Sequence, residues 1–264
     1  MKIGFIGTGN MASAIMGGAI KKGVVTPEDM IGADVSAPGR EKVRTQFGIQ
    51  VTADNKEVVQ NADVVFLSVK PQFYGEVISG IKDEFRREQI IITIAPGKTL
   101  AWLKEQFGRD VKLVRCMPNT PALVGEGMTA ACPNELISDE DLDTVKKILG
   151  SFSYVEIVPE RLMDTVTAVS GSSPAFVFLF IEAMADSAVC CGMPREQAYK
   201  FAAQAVLGSA KMVMETGKHP GELKDMVCSP AGTTIGGVRV LEQAGFRSAV
   251  FEAVKEAEEI SRSL

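Results

Sequence analysis

Short apolar runs and helical spacings alternate through the first half of the chain. Residues 2–6 (Lys-Ile-Gly-Phe-Ile) read as a strand, and residues 11–22 place apolar positions at helical spacing. Residues 29–33 fit a second strand. The stretches 62–69, 89–94 and 111–116 are continuous apolar runs, the pattern of strands buried on both faces. Such strands, separated by helices, predict an α/β domain with a parallel sheet and helical crossovers.

Near Pro159 the pattern changes, and the rest reads helix upon helix. Residues 174–191 and 194–216 are long, apolar and alanine-rich, and 246–264 is amphipathic. The expected division is therefore 1–160 as a Rossmann-like α/β domain and 161–264 as an all-α domain. A helix apolar nearly all round must be buried against something. A domain of about 100 residues has limited interior, so a second subunit is the expected partner for that surface.

Composition narrows the class. The 264 residues are 46% hydrophobic and 23% charged, which supports a packed core and argues against disorder. The net charge is −5 and no basic stripe occurs, so no nucleic-acid partner is expected. Cys116, Cys132, Cys190, Cys191 and Cys228 are odd in number and lack zinc-like spacing, as for reduced thiols of a cytoplasmic protein. The apolar N-terminus is too short for a secretory segment and runs straight into a glycine loop. No run of 18 apolar residues lacks a charge or breaker, so no membrane partner is expected.

That loop is Gly7-Thr8-Gly9-Asn10-Met11-Ala12, a GxGxxA turn between the first strand and the first helix. Gly7 permits the tight turn, Gly9 lets backbone approach a pyrophosphate, and Ala12 lets helix and strand pack closely. Asp34 follows about 25 residues later, where a carboxylate can accept from the ribose hydroxyls of a dinucleotide. That favours NAD(H). Ser36 and Arg40 lie close behind and offer groups for the 2′-phosphate of NADP(H), so both cofactors stay open. The plain alternatives are a glycine turn without ligand and a solvated loop carboxylate.

Ligands of open α/β sheets bind beyond the carboxyl ends of the strands. The loops there are Val69-Lys70-Pro71, Ala95-Pro96-Gly97 and the segment from Arg115 to Pro121. Their prolines and small residues give stiff walls for a flat ring, with amide and hydroxyl groups from Asn119 and Thr120. Ordinary turn chemistry explains any one of them singly. The single histidine, His219, precedes Pro220-Gly221 and reads as a turn or the start of a helix. No nucleophilic triad and no metal-ligand cluster is evident. Any chemistry is then expected to come from a cofactor, with the protein orienting the substrate.

In the second half, Ser170-Gly171-Ser172-Ser173-Pro174 opens the long helix. Ser229-Pro230-Ala231-Gly232-Thr233-Thr234 opens another, over 235–242. Backbone N–H groups at such a start, joined by hydroxyls, suit a carboxylate. Simple capping by Thr233 or Ser229 is an equal alternative.

Together these segments resemble the pyrroline-5-carboxylate reductase family along the whole chain. The matching pieces are 4–11, Val69-Lys70-Pro71, 117–121, 170–175 and above all 223–242, with its Ser-x-x-Gly-x-Thr core at 229–234. The resemblance implies reduction of 1-pyrroline-5-carboxylate to L-proline with NADPH or NADH. It implies subunits interlocked through their helical domains, as a homodimer or an assembly of dimers such as a decamer, with substrate near that interface. It implies that Ser229, Gly232, Thr233, Thr234 and Ser172 meet the substrate, with the Thr234 hydroxyl near the ring nitrogen as the catalytic contact. Gly7, Thr8, Gly9, Asn10, Met11, Asp34, Ser36, Asn55, Val69, Lys70, Pro71, Ala95 and Asn119 form the cofactor side. Some members carry serine where this chain has Asp34, and there it helps hold the NADP phosphate.

Two other readings compete. A 3-hydroxyacid-type dehydrogenase needs a basic lysine on the long helix, and residues 174–185 contain none. A dinucleotide-binding sensor needs no second anion site such as the one read at 229–234.

Overall fold

The computed structural model describes residues 1–263. Leu264, the last residue of the helix expected over 246–264, lies outside them. Among the described residues one sheet has eight strands: β1 (Ile3–Ile6), β2 (Met30–Ala33), β3 (Gln50–Thr52), β4 (Val64–Leu67), β5 (Ile90–Thr93), β6 (Lys112–Met117), β7 (Gly127–Pro133) and β8 (Ser153–Ile157). Their order is β3-β2-β1-β4-β5-β6-β7-β8. Strand order reverses between β1 and β4, which leaves a crevice at their carboxyl ends.

The sheet is parallel except at one pair. β7 runs antiparallel to β6, because the two are joined by a short segment around the 3₁₀ turn Thr120–Val124 rather than a helical crossover. β1, β2, β4 and β5 are buried along their whole length, as their apolar runs predict. On one face Phe5 of β1 stacks on its register partner Phe66 of β4, with ring centroids 5.0 Å apart. The helices α1 (Asn10–Lys21), α2 (Ala37–Phe47), α3 (Asn55–Asn61), α4 (Tyr74–Ile81), α5 (Leu100–Phe107) and α6 (Asp139–Leu149) complete this region. Side chains set several of their starts: Ser36 caps α2, Thr99 caps α5, and Ser138 with Asp141 forms a capping box on α6.

After β8 come α7 (Met163–Val166), a π-helical turn (Thr167–Ser172), α8 (Ser173–Cys190), α9 (Arg195–Thr216), α10 (Pro220–Val227), α11 (Thr233–Gln243) and α12 (Phe246–Arg262). Packing divides the described residues into one unit of residues 1–172 and 257–263 and a second of residues 173–256. The divide thus falls later than the residue 160 expected from sequence. Residues 160–172 are bound into the first unit. Glu160 Oε1 accepts from Arg115 at 2.9 Å and from the Leu100 N–H at 2.7 Å, and Met163 is buried. The end of α12 returns to the same unit through Ser261, whose hydroxyl donates to Asp164 at 2.8 Å.

In the second unit only Ala185, Ala198 and Ala202 are buried among its apolar residues. Phe178, Leu179, Phe201, Met214 and Phe251 are all exposed. Such a surface exceeds what a soluble helical pair leaves open to water.

One buried side chain ties the rim of the crevice together. The Tyr74 hydroxyl donates to the Leu67 carbonyl at 2.5 Å and accepts from the Ile94 N–H at 3.3 Å, joining the ends of β4 and β5. Burial pushes the phenol well above its ordinary pKa, so the hydroxyl keeps its proton. Tyr74→Phe strands the Leu67 carbonyl, and chemical denaturation should show a loss of about 1–3 kcal/mol. An unchanged midpoint would mean that the staple carries no stability.

Candidate functional site

Gly7 turns the chain at the end of β1 with φ +93°, and a Cβ there would lie 2.8 Å from the carbonyl of Ser68. Only glycine fits that conformation and that space. Gly9 differs. It is the N-cap of α1, no side chain caps the helix, and a Cβ at Gly9 would meet nothing within 4 Å. The start of α1 therefore opens onto free space with its first N–H groups unspent, a cradle for a pyrophosphate. Asn10 and Met11 begin that helix, Asn10 exposed and Met11 half-buried.

Asp34 follows β2 and braces the loop. Its Oδ2 accepts from the Thr8 N–H at 2.8 Å and the Thr8 hydroxyl at 2.9 Å, and its Oδ1 accepts from the Ser36 N–H at 2.9 Å. Oδ2 thus spends both its lone-pair sites on Thr8, and Oδ1 keeps acceptor capacity for a ligand hydroxyl. The two groups that sequence offered for a 2′-phosphate each make one local hydrogen bond and keep donor capacity. The Ser36 hydroxyl accepts from the Gly39 N–H at 3.2 Å as the cap of α2, and Arg40 donates to the Asp34 carbonyl at 2.5 Å.

A cleft of about 580 Å³ runs from this loop, lined by Gly7, Asp34, Asn55, Val69, Phe73 and Val77 among others. Asp54 and Glu76 also line it, and its one lysine, Lys56, pairs with Glu84 at 3.1 Å. Carboxylates thus outnumber lysine along the cleft, while the Arg40 guanidinium stands beside Asp34. Lys70 is exposed beside the cleft and Pro71 starts the 3₁₀ turn that follows, while Ala95 is buried and offers the rim only its backbone.

Asn119 is 9% exposed and both ends of its amide are engaged. Nδ2 donates to the Ser170 carbonyl at 3.0 Å, and Oδ1 accepts from the Met128 N–H at 2.8 Å. Ser172 closes the π-helical turn that contains Ser170.

Within the helical unit, a turn closed by the Gly232 N–H on the Ser229 carbonyl at 3.1 Å leads into α11. The N-cap of α11 is Gly232, so neither Thr233 nor Ser229 plays the capping role. Among the described residues the hydroxyls of Ser229, Thr233 and Thr234 have no protein partner. A Cβ at Gly232 would come within 2.4 Å of the Ser229 hydroxyl, so only glycine fits beside it. Ala231 has φ +56°, the one non-glycine residue in the left-handed region among the described residues. Such strain gathers at ligand-holding loops. His219 caps α10, its Nδ1 accepting from the Gly221 N–H at 3.1 Å, in agreement with the helix-start reading.

Sequence reasoning missed Tyr74, Ala53, Asp54, Phe73, Glu76 and Val77. The signal for Asp54 was its place at the end of a strand, but β3 is too short and exposed to be seen. Nothing in the local sequence marks Tyr74 as a staple.

Residues 160–264 match the family model for pyrroline-5-carboxylate reductase dimerisation, and residues 2–97 match the model for NADP oxidoreductase, coenzyme F420-dependent. The chain is 53% identical to pyrroline-5-carboxylate reductase of Escherichia coli (strain K12), covering 100% of this chain and 98% of that one. It is 48% identical to the Methanosarcina acetivorans enzyme of the same name, over 100% and 97%. A crystal structure of Plasmodium falciparum pyrroline carboxylate reductase with NADP bound superposes with a TM-score of 0.90 at 33% identity, over 100% and 97%. Likeness of this degree along the full length means that the chain belongs to the pyrroline-5-carboxylate reductase family.

Proposed function

We infer that this chain reduces 1-pyrroline-5-carboxylate to L-proline by hydride transfer from NADPH or NADH. The reading is carried by full-length family membership together with the open cradle at Gly9. The bound nicotinamide supplies the hydride, which adds to the carbon of the C=N bond. Gly7, Thr8, Gly9, Asn10 and Met11 hold the pyrophosphate, Asp34 and Asn55 face the adenosine end, and Val69, Lys70, Pro71 and Ala95 form the wall along the rim. Ser229, Gly232, Thr233 and Thr234 anchor the substrate carboxylate at the uncapped start of α11. The Thr234 hydroxyl hydrogen-bonds the ring nitrogen. A protonated imine already accepts hydride well, so the chain needs to orient it and exclude water more than to donate a proton.

The helical unit serves as the subunit interface of a homodimer or an assembly of dimers such as a decamer. Residues 160–190 are long and apolar enough to cross a membrane by length and composition. They fall within the dimerisation match, and we read their apolar face as buried by another subunit of a cytoplasmic enzyme with no membrane or nucleic-acid partner. Assay of the purified protein with the cyclic imine, following NADPH and NADH oxidation, tests the function. Absence of turnover with both would overturn it.

Three variants test the assignments. Gly9→Val should abolish dinucleotide binding in calorimetric titration while the protein stays folded, because a Cβ at Gly9 meets no protein atom within 4 Å and the branched side chain blocks the approach of the pyrophosphate. Retained affinity would remove the loop from the site.

Asp34 should set cofactor choice. Like unit charges about 5 Å apart repel by about 3 kcal/mol at an effective dielectric of about 20, and solvent screening at this half-buried rim lowers that figure. NADH should therefore be used well, and Asp34→Ser should shift the ratio of catalytic efficiencies towards NADPH by about tenfold, equivalent to about 1.4 kcal/mol. An unaltered ratio would show that Asp34 only braces Thr8.

Thr234→Ala should reduce kcat/KM for the imine by about tenfold or more with little change in melting temperature, since its hydroxyl caps nothing in the protein. Ser229→Ala should instead raise KM more than it lowers kcat, as a carboxylate contact is present in ground and transition states alike. If both variants keep full activity, the carboxylate is held elsewhere.

A further inference from the structure

Ser170 lies four residues before Pro174. In an α-helix its carbonyl would accept from the N–H of residue 174, and proline has none. The backbone is π-helical over Thr167–Ser172 and becomes α-helical at Ser173. A donor for that carbonyl comes from a different element, since Asn119 Nδ2 points at Ser170 O from 3.0 Å. The other end of the amide takes the Met128 N–H at the start of β7. Asn119 therefore ties three pieces of the first unit: the loop after β6, the first turn of β7, and the π-helical turn. The fit on the facing side is equally close. A Cβ at Gly171 would come within 3.1 Å of Met117 Cε, so glycine lets the turn lie against the end of β6.

The sequence offers Asn119 as an amide for the nicotinamide. Its two committed hydrogen bonds suit a different task. We propose that Asn119 is a positioning residue for the reduction, supplying the donor that Pro174 lacks and so holding residues 170–172 as a π-helical turn against the rim. An α-helical closure of the same residues would rotate Ser172 by about 100° around the helix axis relative to α7. π-turns of this kind interrupt helices mostly at functional sites. The proposal rests on the reductase reading.

The test uses the full chain with the cyclic imine and either nicotinamide cofactor. Asn119→Asp keeps the acceptor for Met128 and removes the donor for Ser170. Its kcat should fall at least about tenfold, while the dissociation constants of NADH and NADPH stay within about twofold. Adding Pro174→Ala returns a backbone donor at residue 174, but in α-helical register. The double variant should regain the melting temperature of the parent and keep the low kcat. Three results would overturn the proposal: cofactor affinity falling in step with kcat, which makes Asn119 a direct cofactor contact; kcat and melting temperature recovering together, which makes the bond merely structural; or an unaltered kcat. If Asn119→Asp does not fold, Pro174→Ala singly carries the test. A competing donor should then lower kcat without lowering the melting temperature, and no change in kcat overturns the idea. A parent protein that turns over no imine sinks the reductase reading and this proposal together, whereas an active parent beside an unaltered Asn119→Asp sinks only the proposal.

Discussion

The close approach of the Gly7 turn to the end of β4 is the constraint on which the first unit's site depends. With a Cβ position 2.8 Å from the Ser68 carbonyl, the loop after β1 has one place to go. It must pass directly over the point where strand order reverses. That course sets Gly9 at the open start of α1 and brings Thr8 to Asp34. The same β4 end is fixed from below by the Tyr74 hydroxyl, which also holds β5. The glycine loop and the rim loops are thus fastened to one another before any ligand arrives. Little ordering is left to be done on binding.

Strands buried on both faces write themselves into a sequence, because every position must be apolar. β1, β2, β4, β5 and most of β6 were legible for that reason. β3 has three residues, none of them buried, and β8 alternates with exposed Tyr154. β7 is buried mainly through the small residues Gly127, Ala130, Ala131 and Cys132, with Thr129 its one buried branched side chain, so it shows little of the signature of a strand. Its antiparallel course depends on a loop length that apolar patterning does not measure. The change of composition near Pro159 was visible. The extra segment that packs back on the first unit was not, because its ties are single bonds from Arg115, Asn119 and Asp164 to residues far away in sequence.

Residue chemistry in the site was legible in kind and less so in use. The glycines, Asp34 and the 229–234 segment were visible as types suited to anions and hydroxyls. What each side chain does with its hydrogen bonds was not visible. Ser36 and Arg40 look like phosphate ligands in a line of text, and in the folded chain each also has a local task, Ser36 as the cap of α2 and Arg40 as a donor to the Asp34 carbonyl. Thr233 and Ser229 look like caps, and the cap is the glycine between them. Competition among nearby donors and acceptors decides such cases, and it depends on distances of a few tenths of an ångström.

The helical unit carries the complementary problem. Its apolar residues are too many for its own interior, and its polar loop leaves three hydroxyls without a protein partner among the described residues. Both follow if the unit completes itself only in an assembly. The faces of α8 and α9 that find no partner in this chain would then be covered by another copy, as the dimerisation match over residues 160–264 indicates. The strain at Ala231 and the unspent hydroxyls beside it have the same logic at smaller scale. A left-handed alanine costs on the order of 1–2 kcal/mol, and the chain closes the turn around it with one bond, from the Gly232 N–H to the Ser229 carbonyl at 3.1 Å. The start of α11 beyond that turn has no side-chain cap, and a charged acceptor there would make bonds roughly twice as strong as a neutral one.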